Sequence, residues 1–244
     1  MARIYVIGLG PGDVEDMTPR AKKAIEEADI VVGYSTYVDL IKEYFPDKKF
    51  LRSPMTREVE RCRLVVEKAL EKNNVALISS GDSGIYGMAG VMLEVVNSSG
   101  HEIPVEIIPG ITAASAAAAI LGAPITHDFA VISLSDLLTP WELIATRIEY
   151  ASKGDFVICY YNPRSKARSE YINIARDIML QYKSPDTPVG IVRNAGREGQ
   201  NHVITTLGKM LEHEIDMFTV VIVGNSMTYV ENGRIITPRG YKYG

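Results

Sequence analysis

The chain has 244 residues, of which 46% are hydrophobic, enough to bury the core of one large domain or two modest ones. Its formal net charge of −4 argues against a general nucleic-acid or membrane-surface binder, because no excess of positive charge is available to gather polyanions. The two isolated cysteines, Cys62 and Cys159, indicate neither a disulfide framework nor a metal site, and no apolar run is long enough to span a membrane.

Strand-like and helix-like segments alternate along the first half of the chain. An apolar run at 3–8 predicts a buried parallel strand, and Thr18 followed by Pro19 predicts a helix start, since a hydroxyl cap and a first-turn proline favour initiation. A long helix is predicted over 56–72, with apolar residues at helical spacing at Val59, Cys62, Val66, Ala69 and Leu70. The remaining elements predicted here are strands at 30–33, 75–79 and 105–108 and helices at 37–45, 85–97 and 112–121.

The second half has longer and more β-rich segments. The predicted elements are strands at 130–134, 156–161, 189–192, 202–206 and 220–223 and helices at 141–151, 165–182 and 207–213. We therefore predict an α/β fold with two α/β domains, residues 1–122 and 123–244. A cleft between two domains is the natural place for a ligand, and we expect the active site there.

Three glycine-bearing loops each follow a predicted strand. They are GLGPGD at 8–13, SGDSG at 80–84 and PGITAA at 109–114. Glycine allows the backbone to approach a ligand closely, and strand-to-loop junctions of this kind suggest a shared pocket at the strand ends of an α/β sheet. A small-molecule enzyme is the leading interpretation.

The first loop imitates the dinucleotide-binding fingerprint GxGxxG. Gly8 and Gly10 match its first two positions, but the third falls on Asp13, whose charge would repel a bound pyrophosphate. Pro11 also removes a backbone donor from the turn. A nicotinamide-binding site is therefore disfavoured, while a tight turn without a ligand stays open.

Asp82 in the second loop has two interpretations. It can cap the helix predicted to follow, since aspartate accepts hydrogen bonds from first-turn amides. It can also belong to a ligand site, because capping does not require the glycines and serines that surround it, whereas holding a ligand against bare backbone does.

The ordered combination of GLGPGD, SSGDSGIYGMAG and IPGITAASAAAA resembles the tetrapyrrole (corrin/porphyrin) methyltransferase superfamily over essentially the full length. The resemblance implies S-adenosylmethionine as cofactor and two α/β domains of the tetrapyrrole methylase type with the cofactor in the cleft between them. Within the superfamily, VISLSDLLTPWE at 131–142 and CYYNPRSK at 159–166 resemble the precorrin-3B C(17)-methyltransferase branch of cobalamin biosynthesis. This branch includes the enzymes that act on cobalt-factor III, and its reaction joins C(17) methylation to ring contraction, giving precorrin-4 or cobalt-precorrin-4.

The resemblance also assigns, by position, the residues that contact the cofactor. They are Pro11, Ser80, Gly81, Asp82, Ile85, Thr112, Ala113, Tyr161, Asn162 and Ala195. The chain departs from many relatives in two places, with Ser-Gly-Asp-Ser at 80–83 where they have Gly-Gly-Asp-Pro, and with Tyr161 where they have methionine.

The implied chemistry requires few protein groups. S-adenosylmethionine carries its own electrophilic methyl group, so the protein chiefly aligns it with a ring carbon and needs neither a nucleophile nor a metal. Ring contraction, however, benefits from a positioned acid or base, for which Asp136, Ser135 and His127 are the candidates. Structural roles stay open for two of them: His127 as a loop histidine bonded to backbone, Asp136 as a turn residue.

A tetrapyrrole substrate carries many carboxylates, whereas this chain is net acidic. Local cations must bind them, and guanidinium groups do so bidentately. The candidate basic residues are Arg52, Arg57, Arg61, Arg63, Arg164, Lys166, Arg168, Arg193 and Arg197. Arg57, Arg164 and Arg193 are preferred because each adjoins a predicted cleft loop, while most of the others suit a solvated surface.

Two other classes of function stay open. One is a sibling methyltransferase acting on another tetrapyrrole, a diphthamide precursor or ribosomal RNA, and the other is a noncatalytic tetrapyrrole-binding module. The sequence does not separate a metal-free from a cobalt-containing substrate. From the resemblance we expect a homodimer and a tetrapyrrole as partner, and from the composition a cytoplasmic protein that binds neither nucleic acid nor a membrane.

Overall fold

The computed structural model describes residues 2–165 and 168–242. The chain divides into two compact units, Met1–Ala113 and Ala114–Gly244. This division lies N-terminal to the boundary predicted after residue 122. Among the described residues, no helix combines the length and apolar character needed to cross a bilayer.

The first unit contains a parallel five-stranded sheet. In chain order its strands are β1 (Ile4–Gly8), β2 (Ile30–Tyr34), β3 (Lys49–Ser53), β4 (Val75–Ser79) and β5 (Val105–Ile108). Their order across the sheet is β3-β2-β4-β1-β5, and every pair is parallel. β1 and β4 are buried along their whole length, as expected for continuous apolar strands that are covered on both faces. The carboxyl ends of β4, β1 and β5 therefore lie side by side.

Four helices cover this sheet. They are α1 (Pro19–Glu27), α2 (Ser35–Ile41), α3 (Glu58–Leu70) and α4 (Ala89–Ser99). One core cluster packs α1 and α2 against one face, and a second cluster packs α3 and α4 against the other. Thr18 caps α1 as predicted, its hydroxyl accepting a hydrogen bond of 3.1 Å from the Ala21 amide.

Two predictions about these helices were wrong in part. Val59 and Leu70, predicted on the buried face of α3, are exposed because they lie in its first and last turns, and Val65 is buried instead. The helix predicted from residue 85 begins at Ala89. Tyr86 has a φ of +52°, a left-handed conformation that a right-handed α-helix cannot contain, so the helix begins only after this residue.

The second unit begins at the start of a helix and continues into a mixed sheet. Its first elements are α5 (Ala113–Leu121), β6 (Gly122–Ala123), β7 (Phe129–Ser133), α6 (Trp141–Lys153), β8 (Val157–Tyr161) and α7 (Tyr171–Met179). They are followed by β9 (Pro188–Arg193), β10 (Asn201–Thr206), β11 (Thr219–Val223), β12 (Tyr229–Glu231) and β13 (Arg234–Ile236).

The main sheet of this unit has the order β10-β9-β11-β8-β7. β7 and β8 are parallel, and β11 is antiparallel to both β8 and β9. Since β8 and β9 both oppose β11, they run in the same direction, and β7, β8 and β9 all end at one edge. A small second sheet joins the β12–β13 hairpin to β6.

Two helices of this unit are shorter than the sequence predicted. The helix predicted over 165–182 is limited to α7, because the described residues 168–170 before it are not helical and the helix ends at Met179. The helix predicted over 207–213 is a single 3-10 turn at Met210–Glu212. The sequence did not predict four strands, which are β3, β6, β12 and β13.

Candidate functional site

The three glycine-bearing loops of the first unit follow β1, β4 and β5 and contact one another through their backbones. The Gly10 amide donates to the Gly81 carbonyl at 3.0 Å, and the Gly81 amide donates to the Gly10 carbonyl at 2.7 Å. The Leu9 amide adds a bond of 2.9 Å to the Ser79 carbonyl. The first and second loops are therefore joined by a short antiparallel bridge.

This packing explains several of the glycines without a ligand. A Cβ atom on Gly8 would lie 2.6 Å from the Gly81 carbonyl oxygen and 2.7 Å from the Gly110 nitrogen. Gly10 and Gly81 also have positive φ angles, +81° and +68°, which favour glycine. Part of the small-residue pattern thus arises because the three loops lie against each other, a cause that the sequence alone did not separate from ligand approach.

Asp82 joins the second loop to the third. Its Oδ1 accepts a hydrogen bond of 2.8 Å from the Gly84 amide, and its Oδ2 accepts one of 3.0 Å from the Gly110 amide. It does not cap α4, whose N-cap residue is Met88, so the capping interpretation is wrong. Because a carboxylate oxygen has two lone pairs, this half-buried group can still accept bonds from a ligand.

The segment after Asp82 is fixed at both ends. The buried Ser83 hydroxyl donates to the Ile108 carbonyl at 3.2 Å, and the Met88 amide donates to the Ser79 hydroxyl at 3.2 Å. Between these anchors the side chain of Ile85 is 38% exposed. An apolar side chain therefore lies open to solvent beside the three loops.

The structure brings the predicted cofactor residues of this unit to one edge of the sheet. They are Pro11, Ser80, Gly81, Asp82, Ile85, Thr112 and Ala113. Pro11 and Gly81 are buried, whereas Ser80, Thr112 and Ala113 are half-buried.

The predicted cofactor residues of the second unit follow β8 and β9, which end at a common edge with β7. Tyr161 is the last residue of β8 and pairs with Ser133 of β7, whose hydroxyl accepts a bond of 2.9 Å from the Asn162 side chain. The Tyr161 hydroxyl accepts a bond of 2.8 Å from the Ala114 amide in the first turn of α5. Ala195 lies in the loop after β9, on the far side of β11 from Tyr161.

Asp136, a predicted acid or base, is an anchored carboxylate. The Tyr171 hydroxyl donates to its Oδ2 at 2.7 Å, and Arg168 lies 3.4 Å from its Oδ1 and donates to the Ser135 hydroxyl at 2.8 Å. The hydrogen bond from Tyr171 is the main reason that the pKa of Asp136 lies below its ordinary value, and Arg168 lowers it further. Asp136 is therefore ionised at neutral pH and is a weak base.

His127 lies apart from the other two catalytic candidates. It precedes β7, whereas Ser135 and Asp136 follow that strand, so the five residues of β7 separate them by roughly 16 Å. Its Nδ1 accepts a bond of 2.8 Å from the Asp128 amide, the backbone contact expected of a loop histidine. The structure does not bring the three candidates to one point.

The three preferred arginines each have a partner. Arg57 pairs with Glu60 at 2.5 Å in the first turn of α3, and Arg164 donates to the Ser169 carbonyl at 3.1 Å and the Asn173 side chain at 3.2 Å. Arg193, at the end of β9, donates through Nε to Asp216 Oδ2 at 2.7 Å. Arg57 belongs to the first unit and the other two to the second.

The other basic candidates differ in their surroundings. Arg61 is buried and donates to the Ser53 hydroxyl and, at 2.8 Å, to the Pro54 carbonyl, so it stabilises the end of β3. Arg52 pairs with Asp39 at 3.0 Å on the surface. Lys166 lies outside the described residues.

Sequence reasoning missed two residues that contact the candidates. Tyr171 holds Asp136 and stacks on Trp141 with ring centroids 4.0 Å apart, and Asp216 holds Arg193. They are distant in sequence from the groups they contact, and no local spacing predicts such a pairing.

The described part of the chain was found to hold neither a cluster of metal-ligating side chains nor a reactive thiol. It contains no group of three or more His, Cys, Asp or Glu side chains that could hold a metal ion. Burial raises the pKa of both Cys62 and Cys159 to about 12, so neither thiol is a nucleophile at neutral pH.

Comparison with known proteins identifies the class. Residues 3–211 match the family of tetrapyrrole (corrin/porphyrin) methylases, and the chain belongs to that family. The resemblance seen in the glycine-bearing loops is confirmed, and so are the α/β fold class and the assignment as a methyltransferase.

Alignments with individual relatives cover nearly the whole chain. A protein of Salmonella typhimurium, named as a probable cobalt-factor III C(17)-methyltransferase, is 52% identical over 238 residues, which cover 98% of this chain and 99% of the relative. The crystal structure of the methyltransferase CobJ has a TM-score of 0.92 and 34% identity, covering 98% of this chain and 100% of that one.

A more distant structure shows the fold alone. It is a uroporphyrin-III C-methyltransferase from Thermus thermophilus complexed with S-adenyl homocysteine, with a TM-score of 0.71. It is 22% identical and covers 91% of this chain and 97% of that one.

Proposed function

We propose that the protein is an S-adenosylmethionine-dependent C-methyltransferase of cobalamin biosynthesis. It methylates C(17) with ring contraction, converting precorrin-3B into precorrin-4 or cobalt-factor III into cobalt-precorrin-4. The second conversion also takes up two electrons from an external reductant, because a factor is two electrons more oxidised than the corresponding precorrin. The observation that carries this proposal is the 52% identity, over 99% of its length, to a relative named for C(17) methylation of cobalt-factor III.

The residues at the sheet edge of the first unit fit S-adenosylmethionine better than a dinucleotide. The carboxylate of Asp82 accepts two backbone bonds and can accept more from hydroxyl or ammonium groups, whereas it would repel a pyrophosphate. Exposed Ile85 offers apolar contact to a nucleoside. We assign contacts with the cofactor in this unit to Pro11, Ser80, Gly81, Asp82, Ile85, Thr112 and Ala113.

In the second unit we assign cofactor contacts to Tyr161, Asn162 and Ala195. The Asn162 amide is oriented by its bond to the Ser133 hydroxyl, and the Tyr161 hydroxyl is oriented by the Ala114 amide. A polar group that is already held in one rotamer loses less entropy when it binds a ligand.

When bound, S-adenosylmethionine supplies an electrophilic methyl group. The contribution of the chain is to bind and orient both reactants and to exclude water, since alignment of the reacting atoms supplies much of the rate enhancement of such a transfer. The hydrogen-bonded loops at Gly10, Gly81 and Asp82 are rigid supports for this purpose.

Ring contraction adds proton transfers, for which we propose Ser135 and Asp136 at the end of β7 and, separately, His127 before that strand. Asp136 is held ionised by Tyr171 and Arg168, so it serves as a hydrogen-bond acceptor and not as a proton donor. The carboxylates of the substrate are assigned to Arg57, Arg164 and Arg193, because the guanidinium group binds carboxylates with directional, charge-assisted bonds.

Mass spectrometry of the product tests the proposal. The purified protein is incubated with S-adenosylmethionine and, in separate reactions, with metal-free precorrin-3B or with cobalt-factor III and a two-electron reductant. We expect a mass gain of one methyl group and release of S-adenosylhomocysteine in at least one reaction. Methylation only of another acceptor would favour a sibling enzyme, and tetrapyrrole binding without S-adenosylhomocysteine release would favour a noncatalytic module.

We also propose a cytoplasmic homodimer. The family resemblance supports the dimer, and the two buried free thiols, Cys62 and Cys159, suit a reducing compartment. Light scattering should give twice the chain mass of 26.9 kDa, and a value equal to the chain mass would contradict the dimer.

A further inference from the structure

The guanidinium group of Arg193 is held from one side by a fixed carboxylate. Arg193 ends β9 opposite Thr219 of β11, and its Nε donates to Asp216 Oδ2 at 2.7 Å. Asp216 Oδ1 accepts bonds of 2.8 Å from the Thr219 hydroxyl and from the Phe218 amide. Three donors on one loop and two strands therefore fix the carboxylate and, through it, the arginine.

The bond through Nε leaves the other end of the guanidinium group available. Among residues 2–165 and 168–242, no side chain or carbonyl accepts a hydrogen bond from the two terminal nitrogens of Arg193. The side chain is 34% exposed, so solvent or a ligand can reach it. Arg57, in contrast, uses a terminal nitrogen for Glu60, and Arg164 uses one for Asn173.

Both members of the pair are charged at neutral pH. Burial raises the pKa of Asp216, but the hydrogen bonds from Arg193, Thr219 and Phe218 outweigh it and hold this pKa below its ordinary value. The bond to Asp216 in turn raises the pKa of Arg193. Arg193 and Asp216 thus form an ion pair in which the terminal N–H donors of Arg193 can still bind a ligand.

The position of the pair relates it to the proposed site. Arg193 directly precedes Asn194 and Ala195, and the Asn194 amide donates to the Phe218 carbonyl at 3.0 Å. β9 ends at the same sheet edge as β8, which carries Tyr161. Arg193 and its partner Asp216 therefore lie at the sheet edge that carries Tyr161 and Ala195.

We infer that Asp216 is a positioning residue that presents the two terminal nitrogens of Arg193 to a carboxylate of a bound ligand. This inference rests on the proposed function. Two parallel N–H donors match the two oxygens of a carboxylate, and a guanidinium group fixed in advance loses less entropy on binding. The carboxylate comes either from the tetrapyrrole side chains or from the methionine part of S-adenosylmethionine.

The experiment uses the full chain and four variants, Arg193→Met, Arg193→Lys, Asp216→Asn and the double variant Arg193→Met with Asp216→Asn. We measure KM and kcat for cobalt-factor III and, by calorimetry, the Kd of S-adenosylhomocysteine. The Kd of 5′-methylthioadenosine, which lacks the carboxylate, is the internal reference. Arg176→Met and Asp177→Asn serve as matched controls, since Arg176 pairs through Nε with Asp177 at 2.9 Å in the same unit.

Arg193→Met should weaken binding of the ligand that supplies the carboxylate roughly 10- to 100-fold, the range for a lost charge-assisted hydrogen bond. Arg193→Lys should recover only part of the loss, because an ammonium group is not a planar fork. A raised KM for cobalt-factor III with an unchanged Kd for S-adenosylhomocysteine assigns the carboxylate to the tetrapyrrole. The reverse pattern assigns it to the cofactor, and in that case 5′-methylthioadenosine should bind normally.

The positioning role has its own readout. Asp216→Asn should weaken the same ligand by a smaller factor, and it should add nothing once Arg193 is methionine, because residues that act through one another are not additive. Additive effects, or unchanged KM and Kd values in folded Arg193→Met, would overturn the inference. A wild-type enzyme that is inactive on every tetrapyrrole would instead reject the proposed function, and the calorimetric comparison would still test the cofactor carboxylate.

Discussion

At the scale of single residues, Asp82 shows how one side chain can stabilise the fold and still be available to a ligand. Its two oxygens join the second and third loops through the Gly84 and Gly110 amides. The sequence correctly drew attention to this residue, but it placed it at the start of a helix that begins seven residues later, at Ala89. Local composition indicated its importance, whereas its partner at Gly110 is set by the pairing of β1 with β4 and β5.

Replacing Asp82 should therefore affect both stability and binding. Asp82→Ala leaves two loop amides without their acceptor and should destabilise the fold by about 1–3 kcal/mol. Asp82→Asn keeps the shape and one of the two loop bonds, since its amide has a single acceptor oxygen, and it should weaken S-adenosylhomocysteine binding by roughly 10-fold or more because the charge that assists bonds to the ligand is lost. Chemical denaturation and calorimetry measure the two effects.

Asp13 provides the matched control in the first loop. Its carboxylate also accepts a backbone bond, of 2.8 Å from the Glu15 amide, but it is exposed and joins no second loop. Asp13→Asn should leave the Kd of S-adenosylhomocysteine unchanged. Equal affinity in Asp82→Asn and wild type would limit Asp82 to a structural role.

Asp136 illustrates a residue whose chemical type was recognised but whose role was not. Sequence reasoning offered it as an acid or base, because a carboxylate after a strand is a common catalytic group. Tyr171 and Arg168 come from a segment more than thirty positions away, and their bonds make it an anchored anion. Only the packing of α7 near β7 reveals this, since neither residue is marked by local sequence.

Tyr171→Phe should raise the pKa of Asp136 toward its ordinary value. A carboxyl group with a depressed pKa in the folded state contributes stability above its unfolded pKa and loses it as the pH falls through the folded pKa. The destabilisation caused by Tyr171→Phe should therefore be full at pH 7 and shrink below about pH 4. NMR titration of the Asp136 carboxyl carbon and unfolding at several pH values measure both.

Tyr182→Phe is the control for this experiment, because it removes a bond of the same kind, 2.8 Å long, to Glu149 in the same unit. It should leave the titration of Asp136 unchanged. A pKa of Asp136 that does not move in Tyr171→Phe would contradict the anchoring described above.

At the scale of elements, the buried strands could be predicted, whereas the polar edge strand β3 could not. β1, β4 and β11 are continuous apolar runs and appear at the positions that the sequence predicts. β3 has the sequence KFLRS and lies at a sheet edge, where polar residues are tolerated and no apolar run is required.

The β12–β13 hairpin did have a local signal that was overlooked. Asn232 and Gly233 form its turn with φ angles of +49° and +71°, the left-handed pair typical of a type I′ turn. An Asn-Gly dipeptide between two short strand-like segments, here Tyr229–Glu231 and Arg234–Ile236, is a strong predictor of such a hairpin. The helices predicted over 165–182 and 207–213 were too long for the opposite reason, since a helix-like sequence pattern extends beyond the ends of α7 and of the 3-10 turn at Met210–Glu212.

The close contact of Gly8, the last residue of β1, with the second and third loops leads to a further prediction. A methyl group at Gly8 would lie 2.6 Å from a backbone oxygen, which cannot move as a side chain can. Gly8→Ala should destabilise the protein by about 1–3 kcal/mol or more, the cost of overpacking a tight contact. Thermal or chemical unfolding measures the change.

Gly90 in α4 is the matched control, because a Cβ atom there would meet nothing within 4 Å. Gly90→Ala should stabilise the protein by roughly 0.5–1 kcal/mol, since alanine is the better helix former. If Gly8→Ala were as stable as wild type, the close approach of the three loops would not be required for the fold.

At the scale of the whole molecule, a chain with a net charge of −4 is proposed to bind a substrate that carries many carboxylates. It can do so because its arginines differ in whether their guanidinium groups are already paired within the protein. Arg52 is paired with Asp39, and Arg61 is buried against neutral groups, whereas Arg193 keeps its two terminal nitrogens for a ligand. The sequence alone did not separate these arginines, because no local pattern distinguishes a guanidinium group that is paired within the protein from one that can bind a substrate. Only the three-dimensional structure distinguishes these two kinds of arginine. The family assignment, in contrast, rested on the loop motifs and could be made from the sequence.

The central claim is methyl transfer to C(17) of a corrin precursor, and the position of the transferred carbon tests it most directly. The protein is supplied with S-adenosylmethionine labelled with 13C in its methyl group and with cobalt-factor III or precorrin-3B, and the product is analysed by NMR. We predict a single labelled methyl group attached to C(17) of a contracted ring. A label attached to any other carbon, or an unlabelled tetrapyrrole after prolonged incubation with enzyme that binds S-adenosylhomocysteine, would contradict the account.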